Sequence, residues 1–276
     1  MSGSLRPKAQ QTQDQKDLMS DILQETQEKV LLVTFNRIEK HNAFDDVFLA
    51  ELQNILDAAE KNSGVRVIVL KANGKHFSAG ADLQWMQRMA SFTEEENIAD
   101  AMVLAKLMYT LHKCSKPTIA MAQGSAFGGG AGLVAACDIG IAADSAKFCF
   151  SEVKLGLIPA VISPYVIRAI GPRAANALFM SAEVFDAKKA LALGLVQHCV
   201  TGNELVSFTL DYAQRIASLA PQAVSEVKTL VTEVSGYPID LELQHKTARL
   251  IAKKRVSAEG QKGLQAFLRK ESVVWD

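Results

Sequence analysis

The sequence carries no excess of charge of either sign, because 30 lysines and arginines are balanced by 30 aspartates and glutamates. Proteins that bind nucleic acid or anionic membranes usually present a basic excess. No apolar run is long enough to span a bilayer either, since Gly, Asp or Lys interrupts every candidate. We therefore expect no nucleic-acid partner, no membrane partner and a location in the cytoplasm.

The patterns of metal sites and of serine nucleophiles are missing as well. The five histidines show no HxxxH or HxH spacing, and no serine lies in a GxSxG pattern. The four cysteines show no CxxC spacing and have apolar neighbours, which indicates buried free thiols in a reducing compartment. We expect no metal site.

What the sequence does contain is enough apolar material for one large core, with 276 residues of which 49% are hydrophobic. Two β-branched runs without polar alternation, VLLVTF after Lys29 and VRVIVLKA at 65–72, predict buried strands of a parallel sheet. Helical spacing between these runs predicts a strand–helix–strand order, so the fold class is α/β. Asp45 or Asp46 is expected to cap the first helix, and Thr93 a later one.

The chain divides into three predicted regions. Because the first twenty residues are polar and Gln-rich, residues 1–24 are interpreted as a disordered extension or as one added for expression. Residues 25–200 are the predicted α/β core. Residues 201–276 show only helical patterns, and such a tail either mediates oligomerisation or packs on the core.

The most informative stretch runs over residues 121–159 and contains three consecutive glycines, Gly128 to Gly130. The run TIAMAQG before them predicts a buried strand, and the segment AGLVAACDIGIAA after them predicts a helix packed on a sheet. The first amides of such a helix lack intrahelical acceptors and lie at the positive end of its dipole, so they can bind an anion or a developing oxyanion. Consecutive glycines can equally serve close packing alone.

Two further features favour a site over simple packing. A second turn of small residues, HFSAGAD, occupies His76 to Asp82, and a single carboxylate, Glu152, lies between apolar runs. A carboxyl group in an apolar pocket has a raised pKa and is suited to moving protons near neutral pH. The three features together predict one site.

Six segments resemble, in order and spacing, those of the enoyl-CoA hydratase/isomerase (crotonase) family, and the resemblance covers residue 25 to the end. The segments are NRIEKHNAF (36–44), HFSAGADL (76–83), AFGGGAGLVAACDIGIAA (126–143), FSEVKLGLIP (150–159), ALALGLV (190–196) and EGQKGLQAFLRK (259–270). The resemblance implies a crotonase-like spiral of ββα units, a C-terminal helical trimerisation region over residues 201–276, and homotrimers or dimers of trimers. It also implies acyl-CoA thioester substrates, with coenzyme A carried by the substrate and no prosthetic group.

The resemblance implies a catalytic role for three residues. The backbone amides of Ala81 and Gly129 are expected to form an oxyanion hole for the thioester oxygen, and Glu152 is expected to act as general acid and base. Typical family hydratases have another glutamate in the helix after the glycines, and here the matching residue is Gly132. Asp138 is interpreted as a structural acid that caps or pairs, and not as a replacement.

The resemblance also assigns a set of residues to CoA. A basic pair in the EKHNA segment is placed near the pantetheine and phosphate groups. The backbone of the SA dipeptide is placed near the adenine. Two residues of the last helix are placed near the nucleotide of the same or a neighbouring subunit. The assigned residues are Lys40, His41, Ser78, Ala79, Asp82, Leu83, Phe267 and Lys270.

Three activities are open to a family member with one glutamate. The first is a double-bond isomerase, which needs only one base. The second is a hydrolase of the 3-hydroxyisobutyryl-CoA type, but such hydrolases carry an aspartate where this chain has Ala160, which counts against hydrolysis. The segment GLIPAVISPYVIRAIG (156–171) looks like that of bacterial 3-methylglutaconyl-CoA hydratases. The prediction is therefore a hydratase of an enoyl-CoA, with 3-methylglutaconyl-CoA of leucine and isovalerate degradation as substrate.

Two alternatives to the hydratase remain open. One is an enoyl-CoA isomerase that uses Glu152 alone. The other is a catalytically silent acyl-CoA-binding protein, and a carboxylate kept in an apolar setting argues against it because such a group is costly to bury.

Overall fold

The computed structural model describes residues 20–275. The strands are β1 (Ile22–Gln27), β2 (Val30–Phe35), β3 (Val67–Ala72), β4 (Thr118–Ala122), β5 (Ser125–Phe127), β6 (Ile139–Ala143), β7 (Lys147–Cys149), β8 (Phe185–Asp186) and β9 (His198–Val200). The helices are α1 (Asp46–Lys61), α2 (Leu83–Met89), α3 (Glu94–Lys113), α4 (Gly129–Ala136), α5 (Ser163–Ser181), α6 (Ala187–Leu193), α7 (Leu205–Ala217), α8 (Pro221–Val234), α9 (Leu241–Val256) and α10 (Ala258–Arg269).

The larger sheet has the strand order β1-β2-β3-β4-β6-β9, and every neighbouring pair except β1 with β2 is parallel. Strand β2 is buried along its whole length, and its side chains alternate between two apolar clusters. Val30 and Leu32 pack in the cluster covered by α7, whereas Leu31 and Val33 pack in the cluster that contains α1. The predicted parallel sheet, buried on both faces, is confirmed.

The chain repeats a two-strand-then-helix unit. After β4 it enters β5 and then α4, and after β6 it enters β7 and then α5. Strands β5, β7 and β8 form a second, smaller sheet, and earlier units join it by single bridges, Phe44 with Ala81 and Ser78 with Ala126. This arrangement is the spiral of ββα units implied by the resemblance, so the expected fold class is confirmed.

The predicted helix caps are also present. The Asp45 carboxylate accepts a hydrogen bond of 2.9 Å from the Phe48 amide at the start of α1. Thr93 and Glu96 form a capping box at the start of α3, with each side chain accepting from the other residue's amide. Both helices therefore begin where the sequence indicates.

Two boundaries differ from the expectation. Strand β1 pairs with β2 from Ile22 onward, so the predicted disordered extension is wrong for residues 22–24, and its first nineteen residues lie outside the described chain. An edge strand with polar side chains, ILQETQ, gives little apolar signal. Residues 139–143 form β6 and not helix, because the chain leaves α4 at Cys137 and pairs with β4.

Asp138 stabilises the point at which the chain leaves α4 and enters β6. Its carboxylate accepts hydrogen bonds from the amide and hydroxyl of Thr118, at 2.8 and 2.9 Å, and pairs with Lys228 of α8 at 2.9 Å. Asp138 is thus the structural acid that the sequence predicted, and it links α8 to Thr118, the first residue of β4.

All four cysteines are free thiols, as expected, but only two of them are buried. Cys114 and Cys149 are buried, whereas Cys137 and Cys199 are half-buried. Burial raises the pKa of Cys114 and of Cys137 to about 12. These thiols are therefore protonated at neutral pH and unreactive.

The C-terminal helices leave apolar side chains uncovered within this chain. Helices α8, α9 and α10 contribute no fully buried residue to the described structure. A groove of about 950 Å³ lies between α8 and α9 and is lined by Leu230 and Ile251, among others. Over residues 20–275 no helix is both long and apolar enough to cross a membrane.

Candidate active site

The candidate site lies where four chain segments run side by side. Phe44 forms a parallel bridge with Ala81, and Ser78 forms one with Ala126 of β5. Strand β5 in turn pairs in parallel with β7, which leads into Glu152 three residues later. Each segment follows a strand of the ββα spiral, so the spiral itself brings the two predicted turns and the predicted carboxylate together.

The first turn exposes the amide of Ala81. The Phe44 amide donates to the Gly80 carbonyl, and the Asp82 amide donates to the Phe44 carbonyl, both at 2.9 Å. These two bonds hold the backbone on either side of Ala81, whose own amide donates to no acceptor in residues 20–275. Gly80 has φ +94°, and a Cβ there would lie 2.9 Å from the Phe127 carbonyl oxygen, so this position requires glycine.

The second amide belongs to Gly129, the first residue of α4. It has no intrahelical acceptor and, within the described chain, no other partner. The two turns touch, since a Cβ on Gly80 would lie 3.7 Å from the Gly129 nitrogen. A Cβ on Gly129 would overlap the ring of Phe44 at 2.5 Å, so only glycine fits. The amides of Ala81 and Gly129 are thus adjacent, partly exposed donors that suit one oxyanion.

Glu152 lies beside these donors at the start of a 3₁₀ turn, Glu152–Leu155. The Gly128 amide donates to the Cys149 carbonyl at 2.8 Å, and a Cβ on Gly128 would lie 3.4 Å from Glu152 Oε1. Oε2 of Glu152 is buried and has no hydrogen-bond partner in the described structure. Burial raises the pKa of the Glu152 carboxyl above its ordinary value, as a proton-transferring group requires.

Apolar side chains fill the space beside Gly132, the position at which typical hydratases of the resembled family have a glutamate. A Cβ on Gly132 would lie 2.3 Å from Cγ2 of Ile162 and 3.2 Å from Cε of Met108, and both residues are buried. Sequence reasoning recognised the missing carboxylate but not the residues that occupy its space. Ile162 belongs to the AVISPY segment, so two positions at which the sequence departs from typical family hydratases are in contact.

Most residues assigned to CoA lie together next to the Ala81 turn. The Ala79 amide donates to the His41 carbonyl at 3.0 Å, and Lys40 Nζ lies 2.9 Å from Asp82 Oδ2. Lys40, His41, Ala79 and Leu83 are all exposed at this surface. The structure therefore groups a lysine, a histidine, an exposed backbone segment and an exposed leucine beside the candidate oxyanion hole.

Two of the CoA assignments need correction. Ser78 is fully buried, and its amide, carbonyl and hydroxyl all bond within the protein, so no polar group of Ser78 is open to CoA. Asp82 is 5% exposed, and its carboxylate caps α2 by accepting from the amides of Gln84 and Trp85. A buried carboxylate of the same sign as the CoA phosphates is a structural group and not a contact.

Arg37 is a structural residue that sequence reasoning missed. It is buried, donates to Asp45 at 2.9 Å and lies 3.8 Å from Asp82 and 3.3 Å from Asp21. The sequence signal that could have identified Arg37 is its position in the NRIEKHNAF segment. Arg37 neutralises the carboxylates that cap α1 and α2, and so supports both sides of the Phe44–Ala81 bridge.

The two predicted nucleotide contacts in the C-terminal helix lie at its end. Phe267 is 80% exposed, and Lys270 is the left-handed residue that terminates α10. Helix α10 packs on α9. Their contact with a nucleotide stays a prediction.

No group of three or more His, Cys, Asp and Glu side chains in the described part of the chain could hold a metal ion. The candidate groups at this site are two backbone amides and one carboxyl group. Such a set can stabilise negative charge on a carbonyl oxygen and move one proton.

Comparison with known proteins points to one family. The family model described as enoyl-CoA hydratase/isomerase matches residues 25–276. The chain is similar to a Legionella pneumophila structure described as an enoyl CoA hydratase/isomerase (crotonase), with 65% identity, a TM-score of 0.89 and coverage of 92% of this chain and 98% of that one. It is 43% identical to an enoyl-CoA hydratase structure from Shewanella pealeana, with a TM-score of 0.90 and coverage of 98% and 100%. It is 31% identical over 258 residues to the short-chain-enoyl-CoA hydratase of Clostridium acetobutylicum, covering 92% of this chain and 97% of that protein.

Since the family model spans almost the whole described chain, the protein belongs to the enoyl-CoA hydratase/isomerase family. The predicted enzyme class, a hydratase-type carbon–oxygen lyase, is confirmed by these relatives.

The packing around Gly132 gives a first prediction. Gly132→Glu places a carboxylate against Ile162, so we expect a loss of more than about 3 kcal/mol in the free energy of unfolding, measured by urea denaturation. Gly202→Glu is the matched control, because a Cβ at Gly202 meets nothing within 4 Å. Adding Ile162→Gly to Gly132→Glu should recover part of the loss. Wild-type stability of the single variant would show that the space is open.

The buried carboxyl group gives a second prediction. Because the pKa of Glu152 is raised on folding, its stabilising contribution is complete below the unfolded-state pKa and is lost as the pH rises through the folded-state pKa. Glu152→Gln should therefore melt at a higher temperature than wild type at pH 7–8, and this gain should shrink as the pH falls toward about 4.5, the ordinary pKa of a glutamate carboxyl group. Exposed Glu271→Gln serves as the control in differential scanning fluorimetry. A gain that is constant across pH, or a loss at neutral pH, contradicts this assignment.

Proposed function

We propose that the protein adds water across the 2,3 double bond of an enoyl-CoA, with 3-methylglutaconyl-CoA of leucine and isovalerate degradation as its substrate. The observation that carries the proposal is the partly buried carboxyl group of Glu152, whose Oε2 has no hydrogen-bond partner within residues 20–275, beside the Ala81 and Gly129 amides, which donate to no acceptor in the same residues. A protein that only bound CoA esters would not need this arrangement, since an unpartnered buried carboxylate opposes folding.

The proposed mechanism uses one carboxylate for both proton transfers. The Ala81 and Gly129 amides donate to the thioester oxygen, which polarises the conjugated double bond. Glu152 takes a proton from water as the water oxygen attacks C3, and negative charge moves onto the thioester oxygen as an enolate. The protonated Glu152 then delivers that proton to C2, and the carboxylate is regenerated. An oxyanion-hole donor typically contributes about 10²–10³ in kcat.

The substrate proposal rests on the AVISPY segment. Ile162 of this segment fills the space next to Gly132, so the segment that resembles the 3-methylglutaconyl-CoA hydratases also shapes the interior of the site. The Clostridium acetobutylicum relative is named as a hydratase of short-chain enoyl-CoA, which supports hydration but not this particular acyl group. Hydration of an enoyl-CoA is therefore the broader part of the proposal, and 3-methylglutaconyl-CoA as the substrate is the narrower part.

Binding of the CoA moiety is proposed at the exposed face beside the Ala81 turn. Lys40 and His41 would contact the phosphates and pantetheine, since Lys40 keeps donors beyond its pair with Asp82. The exposed Ala79 backbone would contact the adenine, and Leu83 would pack beside it. Phe267 and Lys270 would reach the nucleotide of the same or a neighbouring subunit.

A homotrimer, or a dimer of trimers, is proposed to cover the apolar groove between α8 and α9. Light scattering after size-exclusion chromatography should give a mass of three or six chains. A monomer at micromolar concentration would refute this assembly. The cytoplasmic location remains a prediction from composition.

The rival activity within the family is an enoyl-CoA isomerase, because a single carboxylate can shuttle one proton between two carbons. Turnover should be measured with 3-methylglutaconyl-CoA, crotonyl-CoA and a 3-enoyl-CoA, with products identified by mass. Gain of one water on the branched substrate, at a kcat/KM above that for crotonyl-CoA, supports the proposal. Unchanged mass with a migrated double bond identifies an isomerase, and no reaction favours a binding protein.

The role of Glu152 has its own test in the same assay. Glu152→Gln should lower kcat by at least about 100-fold, the usual share of a general acid/base. Binding of the CoA ester, measured by calorimetry, should persist because the amides remain. The exposed variant Glu271→Gln should be fully active. A decrease of less than tenfold in Glu152→Gln would show that another group carries the proton.

A further inference from the structure

We infer that the Ser78 hydroxyl is a positioning group that fixes the spacing between the two oxyanion-hole amides, an inference that rests on the proposed function. Ser78 is fully buried. It lies in the turn that presents Ala81, and in the chain order it precedes that amide by three residues.

The hydroxyl makes two hydrogen bonds that fix the turn. Ser78 Oγ donates to the Asn42 carbonyl at 2.8 Å and accepts from the Gly80 amide at 3.2 Å. The second bond holds Gly80 in its left-handed conformation, with φ +94°, which immediately precedes the Ala81 amide. Without the hydroxyl, the Gly80 amide is a buried donor with no acceptor, and the turn must shift to satisfy it.

Asn42 anchors the other end of this link. Its side chain donates to the carbonyls of Asn73 and His76, both at 2.8 Å, and accepts from the Arg37 amide at 2.9 Å. Asn42 is 1% exposed. The residue that accepts from the Ser78 hydroxyl therefore has its own side chain held by three hydrogen bonds.

Ser78 also sets the distance to the helix that carries the second amide. Its amide donates to Ser125 at 3.1 Å and its carbonyl accepts from Phe127 at 3.0 Å. A Cβ on Gly130 would lie 2.6 Å from the Ser78 carbonyl oxygen and 2.9 Å from Ser78 Cβ. Because Ser78 packs directly on the first turn of α4, a movement of Ser78 changes the separation of the Ala81 and Gly129 amides.

Ser78→Ala tests this role, because it removes only the hydroxyl and leaves both backbone bonds. We expect kcat to fall about 10- to 100-fold, consistent with weakened donation by one oxyanion-hole amide. The KM for the CoA ester should stay within threefold, since the exposed CoA face is unchanged. The matched control is Thr209→Val, which removes a fully buried hydroxyl that donates to the Leu205 carbonyl at 2.7 Å in α7.

A spectroscopic readout separates positioning from simple loss of stability. The absorption band of a conjugated aromatic enoyl-CoA moves to longer wavelength when its carbonyl is polarised, so the shift on binding reports the oxyanion hole without turnover. We expect this shift to shrink in Ser78→Ala and to be unchanged in Thr209→Val, although both variants melt at a lower temperature than wild type. Ser78→Cys, which keeps a weak donor and acceptor, should retain part of the shift.

Each outcome decides the inference. A kcat of Ser78→Ala within threefold of wild type, or an unchanged spectral shift, overturns it. If Ser78→Ala does not fold, the Ser78→Cys spectrum decides, and a wild-type shift there also overturns it. If wild-type protein polarises the chromophore but hydrates no enoyl-CoA, the proposed function fails while the comparison between variants still tests Ser78.

Discussion

The close approach of two glycine-containing turns is the constraint on which this site depends. At Gly80, Gly129 and Gly130 a Cβ would come within 2.9, 2.5 and 2.6 Å of atoms in the neighbouring segment. Those contacts exclude side chains, and they place the amides of Ala81 and Gly129 next to each other, with no acceptor for either in the described part of the chain. A backbone amide is not removed by a side-chain substitution at its own residue, but its position here depends on neighbouring glycines at which a Cβ would not fit.

The carboxyl group is placed by the same spiral but opposes the stability of the fold. Glu152 follows β7, whose pairing with β5 fixes it beside Gly128, and its buried oxygen lacks a partner in the described chain. A second carboxylate does not fit at position 132, because Ile162 and Met108 occupy the space beside Gly132. Under the proposed function, hydration and the rival double-bond migration would both use this one carboxyl group and the same two amides.

Local sequence signals predicted the elements, and tertiary contacts decided the details of the site. The β-branched run at 65–72 gave a buried parallel strand, and Thr93 gave its capping box, because both signals act within a few residues. Strand β1 was missed because its exposed face is polar, and β6 because small residues suit helix and strand alike. The burial of Ser78 follows from contacts with segments about forty residues away in sequence, which no local pattern records. The filling of Gly132 by Ile162 is likewise a long-range contact.

A crystal structure with a saturated acyl-CoA, which cannot be hydrated, tests the central claim most directly. The account predicts that the thioester oxygen lies about 2.7–3.1 Å from the amide nitrogens of both Ala81 and Gly129. It also predicts that the Glu152 carboxyl group faces C2 and C3, with no other carboxylate next to them. A thioester oxygen bound away from these amides, or a different carboxylate facing C3, would contradict the account.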